Sequence, residues 1–475
     1  MPRTLFCLYS SFLIMFQIAG CRKHDAALSN ATPALSHKLI TIHENVNGSE
    51  QKQNSLGLWQ SEIDPSTFIL AAARGIGENF ARGFRIATLR KDAGLLAMHS
   101  YYLPEDYYFQ YASCATLDKD ENVWIGGDVF GHQKQFGRPF IAKVSKDGNM
   151  LWSKAIYDSF PSSRGIGILA LKNGDIAFMT YDNYAFCLYR ISPAGSILWS
   201  KKISSTNNMV FEPSVSTFQY EGYSSSRLLA ETSDGNIFFA CNSNAPVKGI
   251  DCLLKFSAAG NLVFAKSYAW LTYGTSTPPQ IIVTGNDTIV YSAQKSTSTY
   301  NLTGNPFVLV ISADGSVQAS KIYNPLQGPG GVSYELNYYN QHIIMGVSRG
   351  YEFDMYSYDM SLNYLSGEKT FSNNDYTTET GGICLVDKTQ AALYHIMDFA
   401  GNLSDGNGFH FMKTDLTSKS CQVYGAGPIP QVLTAAMLTI ADIALPVTDV
   451  IKSFNEDLAW IPSAPSGTTV SICAK

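Results

Sequence analysis

Residues 144–154 read VSKDGNMLWSK, and this stretch decides the fold because recognisable copies of it recur along most of the chain. Three copies are clear: ISPAGSILWSK at residues 191–201, FSAAGNLVFAK at 256–266 and ISADGSVQASK at 311–321. In all four, an apolar residue, a serine, two variable residues and a glycine lead into a run whose sixth residue after the glycine is lysine. The chain is therefore built from repeats.

Each copy has the features of a β-hairpin. Its glycine, for example Gly148, supplies the positive φ that a tight turn needs, and neighbouring Asp or Asn residues favour the same turn. Beyond the turn, alternate positions such as Met150 and Trp152 are apolar, which is the pattern of a β-strand. We expect Trp152 and its equivalent Trp199 to fill the space between stacked sheets.

A second recurrent turn precedes each hairpin. It is found at residues 118–122, 172–175, 233–236 and 285–287, each time before an apolar strand. Weaker copies of the hairpin lie around residues 89–96, 358–363 and 413–418. Each repeat thus reads as four antiparallel strands, and successive turns lie about 47 to 65 residues apart, close to the spacing of propeller blades. We predict an all-β fold, a single β-propeller of seven four-stranded blades over residues 56–424; six or eight blades fit the same spacing.

The form Asp-Gly-x-ψ-Leu-Trp, seen at residues 147–152 and in part at 195–199, resembles the quinoprotein-type (PQQ-like) repeat of many bacterial β-propellers, including lipoproteins. The resemblance implies the fold and says little about chemistry, because propellers host many unrelated activities. Quinone-dependent dehydrogenases of this type use a calcium-bound quinone, and several carry a disulfide between adjacent cysteines. This sequence has no adjacent cysteine pair, so we expect no quinone cofactor.

The N-terminus has the pattern of an export signal. Residues 1–20 combine an early arginine, an apolar core and a small-residue end, and Cys21 follows directly. This resembles the bacterial lipobox, which implies that Cys21 is acylated and holds the protein to a membrane through its lipid. A chance cysteine after an ordinary secretory signal is the alternative. Residues 21–55 are polar, and we expect a flexible tether there.

Lys23 and Asp25 distantly resemble the surface-export signals of Bacteroidota lipoproteins, but the match is incomplete. We expect a location in the envelope of a Gram-negative bacterium, on the outer membrane, facing either the periplasm or the outside. No later stretch has the roughly 18 apolar residues needed for a spanning helix. The net charge of -5 argues against a nucleic-acid partner, which would require a basic patch.

The turn at residues 118–122 is the best candidate for a metal site. Asp118, Asp120 and Asn122 place oxygen ligands at alternating positions, as at the start of a calcium loop. However, Val123 stands where such a loop has its glycine, and no glutamate closes the loop at the expected distance. A solvated turn is the competing interpretation. Calcium is the one cofactor that the sequence suggests.

The cysteines suggest two disulfides in an oxidising compartment. Cys241 and Cys252 should lie on adjacent strands of one repeat, and Cys421 and Cys473 bracket the C-terminal tail. The tail, residues 425–475, departs from the repeat after a Gly- and Pro-rich boundary. We expect it to pack on the last blade or to add a strand that closes the ring.

Three functions fit these observations. The first is a non-enzymatic module that binds a protein or glycan through a propeller face, which the absence of catalytic motifs favours. The second is a scaffold for outer-membrane protein assembly. The third is a carbohydrate-active or other hydrolytic enzyme, which requires acids such as Asp118, Glu231 and Asp387 to converge in the channel.

Overall fold

The structure is a computed structural model. It describes residues 36–43, 53–74, 82–92, 94–103, 107–131, 137–156, 163–182, 185–206, 227–243, 250–270, 274–275, 279–296, 305–324, 334–349, 352–372, 382–387, 392–400, 407–415, 431–432, 438–450, 454–459, 461–463 and 466–471. These residues all belong to one compact unit of the chain, Leu35–Lys475. In this described part of the chain, no helix is long and apolar enough to cross a membrane.

All regular structure in the described residues is β-strand. In chain order the strands are β1 (Ser36–His43), β2 (Gln53–Gln60), β3 (Thr67–Arg74), β4 (Arg82–Arg90), β5 (Leu95–Tyr102), β6 (Tyr107–Leu117), β7 (Val123–Gly131), β8 (Arg138–Val144), β9 (Met150–Ile156), β10 (Arg164–Ala170), β11 (Ile176–Asp182), β12 (Ala185–Ile191), β13 (Ile197–Ser204), β14 (Leu229–Glu231), β15 (Ile237–Ser243), β16 (Ile250–Phe256), β17 (Leu262–Trp270), β18 (Gly274–Thr275), β19 (Gln280–Val283), β20 (Ile289–Ser296), β21 (Asn305–Ile311), β22 (Val317–Asn324), β23 (Tyr334–Tyr339), β24 (His342–Arg349), β25 (Glu352–Tyr358), β26 (Tyr364–Ser372), β27 (Gly382–Asp387), β28 (Ala392–Ala400), β29 (Asn407–Asp415), β30 (Gln431–Val432), β31 (Leu438–Asp442), β32 (Val447–Asp449), β33 (Phe454–Asp457), β34 (Ile461–Ser463) and β35 (Ser466–Ser471).

The strands form a single all-β propeller with four-stranded blades, as the sequence predicts. Hydrogen bonds group them into six sheets, and the largest sheet has ten strands because a short parallel bridge joins β4 to β6. That sheet holds two four-stranded meanders. The ring therefore contains seven four-stranded units, numbered here 1 to 7: β2–β5, β6–β9, β10–β13, β14–β17, β19–β22, β23–β26, and β27–β29 with β1. Each inner strand contacts the next, and β27 contacts β2, which closes the ring.

The predicted glycine turns are present with the expected backbone. Gly148 and Gly195 have φ of 80° and 81°, and Gly260 and Gly315 both have φ of 85°. In the first of these turns the Gly148 N–H donates to the Ser145 carbonyl over 2.9 Å, and the other three glycines make the equivalent bond. A side chain at this φ is strained, which explains why glycine recurs at this position.

A β-bulge recurs at the start of the fourth strand in six units. In unit 2, Val144 pairs with Met150 and Lys143 pairs with Trp152, so Leu151 has no partner across the ladder. The equivalent unpaired residues are Leu96, Leu198, Val263, Gln318 and Leu365. All six are exposed, and five of them are apolar.

The bulge changes the face of the sheet on which the alternating apolar residues lie. A regular strand would place Met150 and Trp152 on the same face. The extra residue instead sends Met150 to the core between units 1 and 2 and Trp152 to the core between units 2 and 3. Each fourth strand therefore packs against both neighbouring units. The Trp152 ring meets Trp124 edge to face, with centroids 5.1 Å apart, and so fills the space between sheets as expected.

The ring is closed by the N-terminal strand, not by the tail. β1 pairs antiparallel with β29 and becomes the fourth strand of unit 7. It lies within residues 21–55, for which the sequence predicts a flexible tether, and β2 also begins inside that range. The short run Leu39-Ile40-Thr41-Ile42 has the β-branched composition of a strand, but its pairing partner lies more than 360 residues away in sequence.

The tail forms what we call the C-terminal belt, strands β30 to β35. Each belt strand adds antiparallel to the outer strand of a different unit, in the order 5, 4, 3, 2, 1 and 7. The sequence predicts that the tail packs on the last blade or adds a strand that closes the ring; β35 lies on the last blade, unit 7, and the other belt strands lie on units 1 to 5. The belt covers edges that the outer strands would otherwise expose to pairing with other chains.

Candidate functional site

A cavity of about 340 Å³ lies among the inner strands of units 1 to 5. Most of its lining residues are apolar, and they include Trp59 of β2 together with leucine and isoleucine residues of β2, β10, β14 and β19, although more of its accessible surface is polar than apolar. Three polar side chains also line it: Thr116 of β6, Arg227 just before β14, and Glu231 at the end of β14. A concave site that combines apolar residues with a few polar groups is a common form of small-molecule site.

The position of Trp59 depends on a glycine two residues before it. A Cβ at Gly57 would lie 2.0 Å from the Trp59 Cη2 atom, so the indole occupies the space above the glycine. β2 also has a bulge between Ser55 and Gly57. Gly57 therefore lets the ring lie along its own strand at the cavity wall.

Glu231 has one carboxylate oxygen bonded and one without a described partner. Its Oε2 accepts a hydrogen bond from the Lys172 backbone N–H of unit 3 at 2.7 Å. Its Oε1 accepts no hydrogen bond from any described residue. Burial raises the pKa of Glu231 above its ordinary value, although the Lys172 bond and the charges of Lys172 and Arg190 oppose the shift.

The other two polar side chains lie at contacts between units. The Thr116 hydroxyl accepts a hydrogen bond from the Ala170 backbone N–H of unit 3 at 3.1 Å. The Arg227 carbonyl accepts from the Ile281 N–H of unit 5 at 2.9 Å, which ties the inner strands of units 4 and 5 together. The side chains of Thr116 and Glu231, and the backbone of Arg227, are thus held in place by inter-unit contacts.

Acidic side chains at the first turn of a unit bond repeatedly to the first turn of the unit before it. Glu121 Oε1 accepts from Ser61 Oγ at 2.7 Å and from the Ile63 N–H at 2.9 Å. Asp287 Oδ1 accepts from the Ser233 N–H at 2.7 Å. Glu231 makes the corresponding bond from unit 4 to unit 3. These inter-unit hydrogen bonds are structural.

Two of these acids adopt a backbone conformation that favours glycine. Glu121 and Asp287 have φ of 60° and 57° at the turn position that Gly174 and Gly235 fill in units 3 and 4. A non-glycine residue there is strained, and such strain persists where surrounding contacts over-determine it. The inter-unit hydrogen bonds are those contacts.

The predicted calcium loop is a hydrogen-bonded turn. Asp118 Oδ1 accepts from the Asp120 and Asn122 N–H groups, both at 2.9 Å, while Oδ2 accepts from Trp124 Nε1 at 2.9 Å. Lys143 Nζ lies 3.4 Å from Oδ2. The described residues contain no group of three or more His, Cys, Asp or Glu side chains placed to hold a metal. Calcium binding by Asp118, Asp120 and Asn122 stays a prediction.

Asp118, Glu231 and Asp387, the acids suggested for the channel, have separate partners. Asp118 bonds within unit 2, and Glu231 bonds to unit 3. Asp387 is fully buried and forms an ion pair with Lys91 Nζ at 2.5 Å, between units 7 and 1. Of the three, Glu231 lines the cavity.

The structure brings Cys241 and Cys252 together as the sequence predicts. They are directly opposite on β15 and β16, and both are buried thiols. The Ala240 N–H donates to Leu228 on the β14 side, so the Cys241 backbone faces β16. Such hydrogen-bonded pairs have Cα atoms roughly 5.5 Å apart, which a disulfide can span. The bridge stays a prediction. Cys21, Cys421 and Cys473 lie outside the described residues.

Sequence reasoning missed Trp59, Thr116 and Arg227. Trp59 lies in the first unit, before any clear repeat, and the sequence Gly57-Leu58-Trp59 has no equivalent in the four clear copies. The sequence feature that could have pointed to Trp59 is an aromatic residue two positions after a glycine in a strand, where the ring can lie over the glycine.

No family model matches this chain, and no curated protein matches it. Solved structures do. The chain is similar to the polysaccharide lyase Uly1, at 10% identity over 80% of this chain and 99% of that one, with a TM-score of 0.46. It is also similar to the Dos1 propeller, at 12% identity over 79% and 95% of the two chains, with a TM-score of 0.45. A protein of unknown function from Bacteroides caccae matches at 9% identity over 71% and 94%, with a TM-score of 0.36. At these identities the likeness concerns the fold alone.

Proposed function

We propose that this protein is a lipid-anchored binding module of a bacterial cell envelope, which holds a glycan or a protein through its propeller and catalyses no reaction. The lipobox-like sequence ending at Cys21 supports the anchor. The repeat-built propeller supports a binding role, because stacked repeats present broad and rigid surfaces.

The observation that carries the proposal is the separate bonding of the three candidate acids. A glycoside hydrolase typically needs two carboxyl groups roughly 5 to 10 Å apart on either side of the scissile bond. Among the described residues of the cavity wall, Glu231 is the one carboxyl group. Asp118 and Asp387 instead bond to Trp124 and Lys91. This arrangement favours recognition over acid–base chemistry.

A binding assay with product detection tests the proposal. The full-length protein is reconstituted in lipid nanodiscs and exposed to purified envelope glycans and outer-membrane proteins, and the glycans are then analysed by chromatography. We expect saturable binding of at least one ligand and unchanged glycans. New glycan products formed in proportion to the protein would overturn the non-enzymatic function, and a lack of binding to both classes would overturn the module.

The lipid anchor is tested separately. Cells fed an alkyne analogue of palmitate should label the full-length protein, and Cys21→Ala should abolish the label and release the protein from the membrane fraction. A Cys7→Ala variant is the matched control and should keep its label, because Cys7 lies inside the segment expected to be removed. Equal labelling of the Cys21→Ala variant would exclude the anchor.

A further inference from the structure

We propose that the cavity among the inner strands of units 1 to 5 binds a neutral sugar ring, with Trp59 as the stacking surface and Glu231 as a hydrogen-bond acceptor. This inference rests on the proposed function and specifies its ligand. It uses side chains that the sequence did not bring together.

The size of the cavity limits the ligand. Pockets for small molecules enclose roughly 300 to 1,000 Å³. At about 340 Å³ this cavity is at the lower end of that range and suits a ligand of one or two rings. A longer glycan would place one terminal unit in the cavity and the remainder outside it.

The aromatic wall suits the apolar face of a sugar. A pyranose carries C–H groups on one face and hydroxyl groups around its rim, so it combines an apolar surface with a polar edge. Trp59 offers a flat ring at the cavity wall. The ring can lie along β2 because Gly57 has no side chain to occupy that space. Leu169 and Ile282, which are partly exposed, add aliphatic surface from units 3 and 5. Aromatic side chains combine a large apolar area with defined geometry, as such recognition requires.

The polar groups suit hydroxyl groups. Glu231 Oε1 accepts no hydrogen bond from the described residues, and partial burial raises the pKa of this carboxyl group against the opposing bond from the Lys172 N–H to Oε2. A ligand hydroxyl could donate to Oε1, and bonds to a charged acceptor are among the stronger hydrogen bonds. The Thr116 oxygen already accepts from Ala170, so its own proton is available to a ligand oxygen.

The balance of charge favours a neutral ligand. Arg227 and Glu231 are the charged side chains among the described residues of the cavity wall, and their formal charges cancel. An anionic ligand would lie beside the Glu231 carboxylate and a cationic ligand beside the Arg227 guanidinium, and either like-charge contact costs free energy in a partly desolvated space. A neutral polyhydroxylated ring can bond to Glu231 without that cost.

The chain offers a matched pair of variants. Glu231 and Glu121 both form inter-unit hydrogen bonds, but Glu231 lines the cavity and Glu121 is not part of its wall. Glu231→Gln keeps an oxygen for the Lys172 N–H and removes the charged acceptor. Glu121→Gln makes the same chemical change away from the cavity. Trp59→Phe reduces the stacking surface while keeping an aromatic core residue.

Calorimetric titration of the full-length protein tests the site. The probes are glucose, galactose, mannose, N-acetylglucosamine, maltose and cellobiose, with glucuronate and glucosamine as charged comparisons, each up to about 10 mM, where millimolar affinities are measurable. We expect at least one neutral sugar to bind. Glu231→Gln should weaken that binding at least about ten-fold, and Trp59→Phe several-fold, whereas Glu121→Gln should leave it within about two-fold.

The outcomes separate this inference from the proposed function. Sugar binding that survives both Glu231→Gln and Trp59→Phe places the site elsewhere, which overturns the cavity assignment and leaves the binding module intact. No binding of any neutral probe also overturns the assignment, while the nanodisc assay with larger glycans and proteins still decides the module. Equal or tighter binding of glucuronate or glucosamine would overturn the preference for a neutral ligand.

Discussion

The two ends of unit 2 treat an aspartate in opposite ways. At the turn between β6 and β7, Asp118 accepts hydrogen bonds from two backbone N–H groups and from Trp124. Burial raises its pKa, but the bonds from Trp124 and Asn122 outweigh burial and hold the pKa below its ordinary value. Near the other end of β7, Asp128 is fully buried and its Oδ1 atom has no hydrogen-bond partner among the described residues. Burial raises its pKa to about 7, with only partial opposition from Arg164.

The difference shows that donors, together with the depth of burial, decide the protonation of an acid in this fold. The turn after an inner strand supplies converging backbone N–H groups to a carboxylate, as the bonds to Asp118 show. A position inside the sheet, such as Asp128, has its neighbouring N–H groups committed to the ladder. The same side chain is therefore ionised at one end of the unit and largely protonated below pH 7 at the other.

Replacing Asp118 should produce the largest effect on stability. Asp118→Ala removes the acceptor for Trp124 and leaves Lys143 buried without its anion, so we expect the free energy of unfolding to fall by about 3 kcal/mol or more. Urea denaturation followed by tryptophan fluorescence measures the change. A loss below about 1 kcal/mol would mean that the turn does not depend on this carboxylate.

Asp128→Asn should have the opposite sign and depend on pH. The unfolded chain ionises this aspartate near its ordinary pKa of 3.8, whereas the folded protein retains the proton to about pH 7. Stability therefore falls as pH rises between these values and levels off above the folded pKa. The Asn variant has no carboxyl group to ionise on unfolding, so its stability does not fall in this way. We expect it to be more stable than the parent by about 2 to 4 kcal/mol at pH 8.

The control for the Asp128 prediction is acid pH. Below the unfolded pKa both states of the parent are protonated, and the two proteins should agree within about 0.5 kcal/mol. A stability difference that does not change with pH would assign the effect to packing instead of ionisation. Unfolding by urea at a series of pH values measures both limits.

Two glycines test whether the turn backbone or its packing matters more. A Cβ at Gly195 would lie 2.9 Å from Trp152, whereas at Gly174 the nearest atom is 3.7 Å away, and both residues have positive φ. Gly174→Ala should lower the free energy of unfolding by about 1 kcal/mol, because only the backbone is strained. Gly195→Ala should lower it by about 2 to 3 kcal/mol, because the added methyl group also meets the Trp152 ring. Equal costs in thermal unfolding would show that the Trp152 ring moves freely.

Glu121→Gln should lower the free energy of unfolding by only about 1 kcal/mol. The amide oxygen of the glutamine still accepts hydrogen bonds from Ser61 and Ile63, although these bonds are weaker because the acceptor is uncharged. Differential scanning calorimetry of the variant against the parent measures it. An unchanged transition would mean that the strained backbone at Glu121 is held by other contacts.

Calcium should have the smallest effect. Because the Asp118 oxygens already accept several protein donors, adding millimolar calcium to chelator-treated protein should shift the unfolding midpoint by less than about 1 °C. A bound ion at a hundred-fold excess over its Kd would stabilise by about 2.7 kcal/mol. A clear upward shift that Asp120→Ala abolishes would restore the calcium loop at residues 118–122.

The sequence predicted the parts of the fold that repeat. The glycine turns, the four-stranded blade and the inter-sheet position of Trp152 result from local chemistry that recurs at a fixed spacing. The bulge at Leu151 was missed because an extra residue leaves the apolar alternation intact in sequence while reversing the face on which the later residues of the strand lie. Strand β1, and the pairing of the belt strands with five further units, were missed because the partners are distant in sequence and several belt strands have only two or three residues.

The candidate site was harder to predict for the same reason. Glu231 could be singled out as an acid at the end of an inner strand, and Arg227 lies four residues before it, but Trp59 and Thr116 come from two other inner strands, β2 and β6. Nothing in their local sequences requires them to meet. Their convergence results from ring closure, which depends on β1 pairing with β29.

The strand order of unit 7 determines when during synthesis the ring can close. Its sheet runs β27, β28, β29, β1 and β35, so it combines the first described strand of the chain with the last. A chain that emerges from its N-terminus delivers β1 first, and this strand has no partner until β29 emerges. The belt strand β35 then docks on β1 only when synthesis is nearly complete. Ring closure is therefore a late event, and a chain truncated before Ser466 would leave the outer edge of β1 exposed to strands of other chains.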